Sequence, residues 1–287
     1  MAYRVVTDAT ADLSATMLSG LPALTIIPMD IECDNTTYTY GIDGNITVEE
    51  FYSMQKQGKF FKTTQINPAR YVEYFEPLLE ARLDILYLCF SSGMSGCCSN
   101  ALLAASQLEE KYPERQIIVI DTLCASVGEG FLVMETLRMQ ANGLLLEDLA
   151  LWVEHHKYNV CHWFTVDTFD HLKHGGRVSS TSAILGTMLQ IKPLLRVDEM
   201  GKLEVVEKPR GRKNAMKSQL KRLRETLQDL YHIVIGHGPN PETAQALAFA
   251  IVDEFPNADV HIANIGPVIG AHTGPGMVAL IFWGSKR

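Results

Sequence analysis

Short apolar runs alternate with amphipathic segments along almost all of this 287-residue chain, and that alternation constrains the fold more than any other feature. In the first half, the runs Tyr3 to Thr7, Leu24 to Ile31, Asp84 to Phe90 and Gln116 to Asp121 have strand length and strand composition. Between them, helical spacing of apolar residues predicts helices over 47–57, 68–81, 99–111 and 126–142. The helix ends are marked as well. Thr47 and Glu50 spell a capping box, Pro68 suits a first helical position, and Gly143 is placed to stop the helix that starts at Ser126. Strand and helix taken in turn build a parallel sheet, and ligands of such sheets gather at the loops beyond the C-terminal strand ends.

A second unit is expected after a helix over 146–157. It begins with a strand at Asn159 to Val166, followed by short helices through Ser179 to Met188. A hairpin has arms Pro193 to Val197 and Leu203 to Lys208, turned at Asp198 to Gly201. A long helix over 212–230 comes next, then a strand at His232 to Gly236, a helix at Pro241 to Phe255 and strands at Asp259 to Asn264 and Met277 to Trp283. The fold class expected is α/β, with two α/β domains, 1–157 and 158–287, the first carrying a mainly parallel sheet. A chain of this length can bury two ordinary cores.

Composition excludes several classes. No apolar window is long enough to span a bilayer, and the N-terminus lacks the pattern of a secretory leader, so the chain reads as cytoplasmic. The six cysteines lie mostly inside apolar runs without CxxC spacing, which argues for reduced thiols over a disulfide framework or a zinc site. A net charge of -8 makes nucleic acid an unsuitable partner. No metal and no cofactor are expected.

The candidate chemistry lies where strands end. Four hydroxyl-rich segments, Thr7 to Leu13, Lys62 to Gln65, Ser91 to Gly96 and Asp121 to Ser126, offer hydroxyls and backbone N–H groups suited to a carboxylate or phosphate. Each alone is an ordinary capping sequence; their recurrence along one expected sheet edge points to a site. Near the C-terminus, Ile265 to Gly276 sets His272 and Thr273 among glycines and prolines, a composition that reads as a rigid loop. Gly93-Met-Ser-Gly96 is close to a nucleophile elbow without being GxSxG, so a serine-dependent acyl hydrolase or acyltransferase using Ser95 and His272, with Asp8 as the third member, stands as the alternative to pure binding. Cys97 reads either as a small packed residue or as a thiol activated at a helix N-terminus. The basic stretch containing Arg210, Arg212, Lys213, Lys217, Lys221, Arg222 and Arg224 reads either as a solvated helix face or as a dock for an acidic protein or an anionic membrane.

Taken together, TDATADL at Thr7 to Leu13, KTTQ at Lys62 to Gln65, SSGMSGCCSNA at Ser91 to Ala101, the Gly175 to Ser179 segment with Ile191-Lys-Pro193, and IGPVIGAHTGPG at Ile265 to Gly276 resemble the DegV family in order and spacing. The resemblance implies two α/β domains with a lipid-binding tunnel between them that holds one fatty acid. It also implies a non-catalytic role as the binding subunit of a fatty acid kinase system, with a separate ATP-binding kinase subunit as partner. Such a carrier holds the acyl phosphate for phospholipid synthesis and meets an anionic membrane surface transiently. By motif, Thr63, Ser95 and His272 would bind the carboxylate, with Thr64, Gly96 and Thr273 as secondary neighbours and Arg177 at the tunnel mouth. The chain departs from the family pattern at Ala9, at Cys97 and Cys98, and along Thr64-Gln-Ile66.

Overall fold

The computed structural model describes residues 2–178, 190–229, 232–285 and 287. The short helices expected through Ser179 to Met188 lie outside the described residues. The first half forms a parallel sheet in the order β2-β1-β6-β7, from β1 (Tyr3–Asp8), β2 (Leu24–Ile27), β6 (Asp84–Cys89) and β7 (Ile117–Asp121). Its crossovers include α1 (Val48–Lys56), α2 (Pro68–Glu80) and α3 (Cys97–Lys111). Thr47 and Glu50 make the reciprocal capping box, and Pro68 opens α2 after an Asn67 cap.

The expected strand from Leu24 to Ile31 is two strands. Pro28, which has no N–H to donate, separates β2 from β3 (Met29–Cys33), and β3 turns away to pair antiparallel with β4 (Thr36–Tyr40) and β5 (Lys62–Thr63). Asp34 and Asn35 both take left-handed backbone, φ 49° and 62°, which closes the β3–β4 hairpin tightly. This small sheet carries Thr63 on its edge.

The second half forms a six-stranded sheet in the order β10-β9-β8-β13-β11-β12, from β8 (Val160–Thr165), β9 (Leu194–Val197), β10 (Leu203–Glu207), β11 (Ile233–His237), β12 (Val260–Asn264) and β13 (Val278–Trp283). Between them lie α6 (Asp170–His174), α7 (Arg212–Thr226) and α8 (Pro241–Glu254). The expected helix over 212–230 stops at Thr226, because Leu227 turns into extended backbone and bridges to Gly284. The segment expected as a Gly/Pro loop is α9 (Pro267–Thr273), with Pro267 in its first turn and Gly274 at φ 74° ending it. His272 therefore stands on the last turn of a short buried helix.

Every strand of the parallel sheet precedes residue 157 and every strand of the six-stranded sheet follows residue 158. The main core nevertheless crosses that line. α4 (Val127–Ala141) is buried on all sides from Val127 to Leu137, and one apolar cluster joins it to Leu86 and Ile120 of the first sheet and to Phe164, Val234 and Ile281 of the second. A helix apolar all round has no solvent face to offer, so it must be sandwiched. α5 (Leu146–His156) follows it and packs beside it on the same face of the parallel sheet, while α2 and α3 cover the other face.

Four of the seven basic residues on and before α7 pair with acidic groups of the chain. Arg212 pairs with Asp167 at 2.8 Å, Arg222 with Glu207 and Glu225, Lys221 with Glu225, and Arg224 with Glu254 at 2.5 Å. Most of these pairs reach outside the helix, which favours a charge-balanced surface over a field aimed at a partner. No helix among the described residues is long and apolar enough to cross a membrane.

Candidate functional site

Thr63, at the end of β5, and His272, on α9, meet at 2.9 Å between the threonine Oγ1 and the imidazole Nε2 although 209 residues separate them. Glycine makes this approach possible: a Cβ on Gly175 would fall 2.0 Å from His272 Nδ1. Nδ1 is buried and has no hydrogen-bond partner among the described residues. Burial, reinforced by Arg177, His174 and His171, lowers the His272 pKa to about 4, so the ring is neutral at physiological pH. An unpartnered buried acceptor costs less than an unpartnered donor, so the proton belongs on Nε2, donating to Thr63 Oγ1. The Thr63 hydroxyl proton is then left for a third group.

Ser95 belongs to the turn between β6 and α3, and its Oγ accepts the Cys97 N–H at 3.3 Å. Gly96 does not line the cavity. It lets Gln65 of the neighbouring motif pack close, since a Cβ there would meet the Gln65 side chain at 2.8 Å. Thr64 points elsewhere, is exposed, and lies 3.5 Å from Glu32. Thr273 lines the cavity while its hydroxyl donates back to Ile269 O at 3.1 Å. Arg177 lies on the cavity rim and donates from Nε to Met94 O at 3.3 Å, joining the segment after α6 to the serine turn.

The cavity lies between the two halves. Thr63, Ser95, Arg177 and His272 line it together with Thr10, Ser126, His162 and Thr273; Phe90, Val127, Phe164, Leu172, Ala279 and Ile281 are among the more numerous apolar side chains.

The arrangement does not assemble the Ser95, His272 and Asp8 triad. Asp8 is fully buried and accepts from Thr10 and Tyr87, at 2.5 and 2.7 Å, while His272 bonds to Thr63. Ser95 has no described hydrogen bond to the imidazole that would take its proton. Cys97 is buried, and burial pushes its thiol pKa up, so it packs as an inert small residue. Among the described residues, His232, Asp259 and His261 gather ligand-type atoms, but Arg138 donates to His232 Nε2 and so leaves the proton on Nδ1, beside Asp259 Oδ2 at 3.2 Å. That geometry is a hydrogen-bonded chain in which His232 has no lone pair to offer a metal.

Sequence reasoning overlooked three buried groups that border the cavity or support it. Asp12, at φ 46°, accepts from Ser126 Oγ at 2.6 Å and from Gly266 N at 2.8 Å, tying the start of α4 to the start of α9. Burial raises its pKa to about 7. Glu129 of α4 is buried against Thr7 and Thr10. His162 of β8 lines the apolar wall, and burial with nearby Arg287 lowers its pKa to about 3.

Both depressed histidines give the same sign of pH dependence. The unfolded chain takes up these protons near pH 6.5 and the folded chain does not, so their contribution to stability is intact above 6.5 and is lost as pH falls from there toward 4 and 3. In an NMR titration, the His162 and His272 ring resonances should hold their neutral positions from pH 8 down to about 5.5. Titration of either near 6.5 would show a solvated ring.

The DegV family, described as uncharacterised, matches residues 2–284. A DegV domain-containing protein of Clostridium perfringens is 39% identical over 287 residues, covering 99% of this chain and 98% of that protein. The chain belongs to the DegV family. Among DegV structures, one from Thermus thermophilus described by its fatty acid binding has a TM-score of 0.87 at 27% identity over 99% of this chain and 100% of that one. A fatty acid binding DegV protein from Streptococcus agalactiae gives 0.84 at 27% identity over all of both chains. The Streptococcus pneumoniae fatty acid kinase (Fak) B3 protein, loaded with linoleic acid, gives 0.88 at 21% identity over 99% of each chain, a likeness of fold. The DegV fold thus accounts for the mixed α/β architecture and the parallel first sheet.

Proposed function

We propose that this chain binds one long-chain fatty acid, with the acyl chain in the cavity and the carboxylate at Thr63, Ser95 and His272. The observation that carries the reading is the lining of the cavity, mostly apolar side chains with Thr63, Ser95, Arg177 and His272 gathered on it. A neutral imidazole donating to Thr63 leaves the threonine hydroxyl to donate to a carboxylate oxygen, and Ser95 supplies a second hydroxyl on the same rim. The solved DegV relatives that bind fatty acids support the ligand class.

The finer reading is that the protein is a cytoplasmic carrier that presents the carboxylate to a separate ATP-dependent kinase and then holds the acyl phosphate. Its support is the fold shared with the kinase-system B3 protein and a head-group site with hydroxyls but no assembled nucleophile. Arg177, on the rim, is the cation placed to meet the added phosphate. Native mass spectrometry of protein purified from cells should show about one fatty acid per chain, with no ATP consumed by the protein alone. A covalent acyl adduct on Ser95 would turn the reading to acyl transfer.

A further inference from the structure

His162 lies in the last cavity-lining row of β8 and β13, a row that continues through Val197 of β9 and Leu203 of β10. Met277, just before β13, and Ala279 and Ile281 on it line the cavity in steps of two, and on β8 His162 and Phe164 do the same. The strands pair Ala279 with Phe164 and Ile281 with His162. Since β13 begins just after the turn that follows His272, Ile281 and His162 form the cavity-lining row farthest along these two strands from His272, about 13 Å along β13 from Met277. The next pair on that face, Val160 with Trp283, does not line the cavity and packs into the main core.

The imidazole in this row is fixed. Nδ1 donates to Val160 O at 2.9 Å and Nε2 accepts the Ala125 N–H at 3.3 Å, so both nitrogens are engaged by backbone. Gly128 of α4 lies flat against the ring, where a Cβ would come within 2.1 Å of Nε2. A neutral ring with both nitrogens bonded and one face against a helix presents only carbon edge to the cavity, and it has no rotamer freedom with which to retreat.

We propose that His162, with Ile281 beside it, sets the length of acyl chain the cavity accepts. This rests on the fatty acid reading above and names the part of the wall that limits it. A chain too long for the row must displace a hydrogen-bonded ring or fold back on itself, whereas Phe164 and Ala279 are passed by every chain that reaches the row.

The test offers delipidated protein an equimolar mixture of saturated fatty acids of about twelve to twenty carbons and weighs the complexes by native mass spectrometry. His162→Ala and Ile281→Ala are expected to move the bound distribution about two carbons longer, because each removes wall without touching the head-group end. Val160→Ala, behind the wall, is expected to leave it in place. Ile281→Ala breaks no hydrogen bond, so it decides the matter should His162→Ala fail to fold. Unchanged distributions in variants that still bind one acid would overturn the gauge and leave the fatty acid reading intact. Parent protein that binds none of the acids would remove both.

Discussion

Glu129→Ala is expected to destabilise the protein by about 3 kcal/mol, whereas Glu129→Gln should fold with nearly parental stability. The reasoning is a count of protons. The Thr10 hydroxyl lies 2.5 Å from Asp8 Oδ1 and 2.8 Å from Glu129 Oε2, and one hydroxyl proton cannot serve two carboxylates. Asp8 also accepts from Thr10 N and from Tyr87, so it is the better solvated anion. Burial holds the Glu129 pKa well above the usual carboxylate range, and Glu129 donates to Thr10 as a neutral acid. Glutamine reproduces that donor and the acceptor facing Thr7; alanine leaves a hole and takes away the donor to Thr10, while Thr7 keeps its bond to Leu88 O and Thr10 its bond to Asp8. The linkage has a definite sign. The folded chain keeps a proton that the unfolded chain releases above about pH 4.5, so stability falls as pH rises above that value, and Glu129→Gln should flatten the slope. Chemical denaturation of both variants at two pH values checks this. Equal damage from glutamine and alanine would mean that the site needs a charge.

Ser95→Ala and His272→Ala are expected to separate binding from phosphorylation. Each buried methylene contributes about 0.8 kcal/mol, so a tail of about fifteen carbons supplies on the order of 12 kcal/mol before ordering costs, while one neutral hydrogen bond adds about 1 kcal/mol. Affinity for the fatty acid should fall by less than about tenfold. Acyl phosphate formation with a partner kinase and ATP should fall by about a hundredfold, because the carboxylate is no longer held where a second enzyme can reach it. His272→Ala also removes the donor that orients Thr63. Phosphorylation at the parental rate in both variants would reject the head-group assignment.

The strand and helix order was legible wherever periodicity was strong and ends were capped, as at Thr47, Pro68 and Gly143. It failed where a short polar element is a strand only through its neighbour: Thr36–Tyr40 pairs with β3 across a two-residue turn and Lys62–Thr63 pairs with β3 from a distance, both with little apolar content. The glycine-rich segment misled in the opposite direction, because Pro267 and Gly274 bracket a helix too short to show a period. That Thr63, Ser95 and His272 line one cavity was anticipated by motif resemblance. The contact between Thr63 and His272 was not, since nothing local encodes a meeting across 209 residues. Two buried polar groups did leave a trace. His162 interrupts an otherwise apolar strand, and Glu129 stands in a helix with no polar face to receive it, so each had to be satisfied in the interior.

The wholly buried α4 bears on how the chain is made. It is synthesised well before β8, β11 and β13, which supply one of its two walls. During translation its apolar surface stays bare on that side until β13, at Val278–Trp283, has left the ribosome. The first sheet therefore cannot complete its core as an independent unit, and the long wait gives chaperones a defined client segment, Val127 to Leu137.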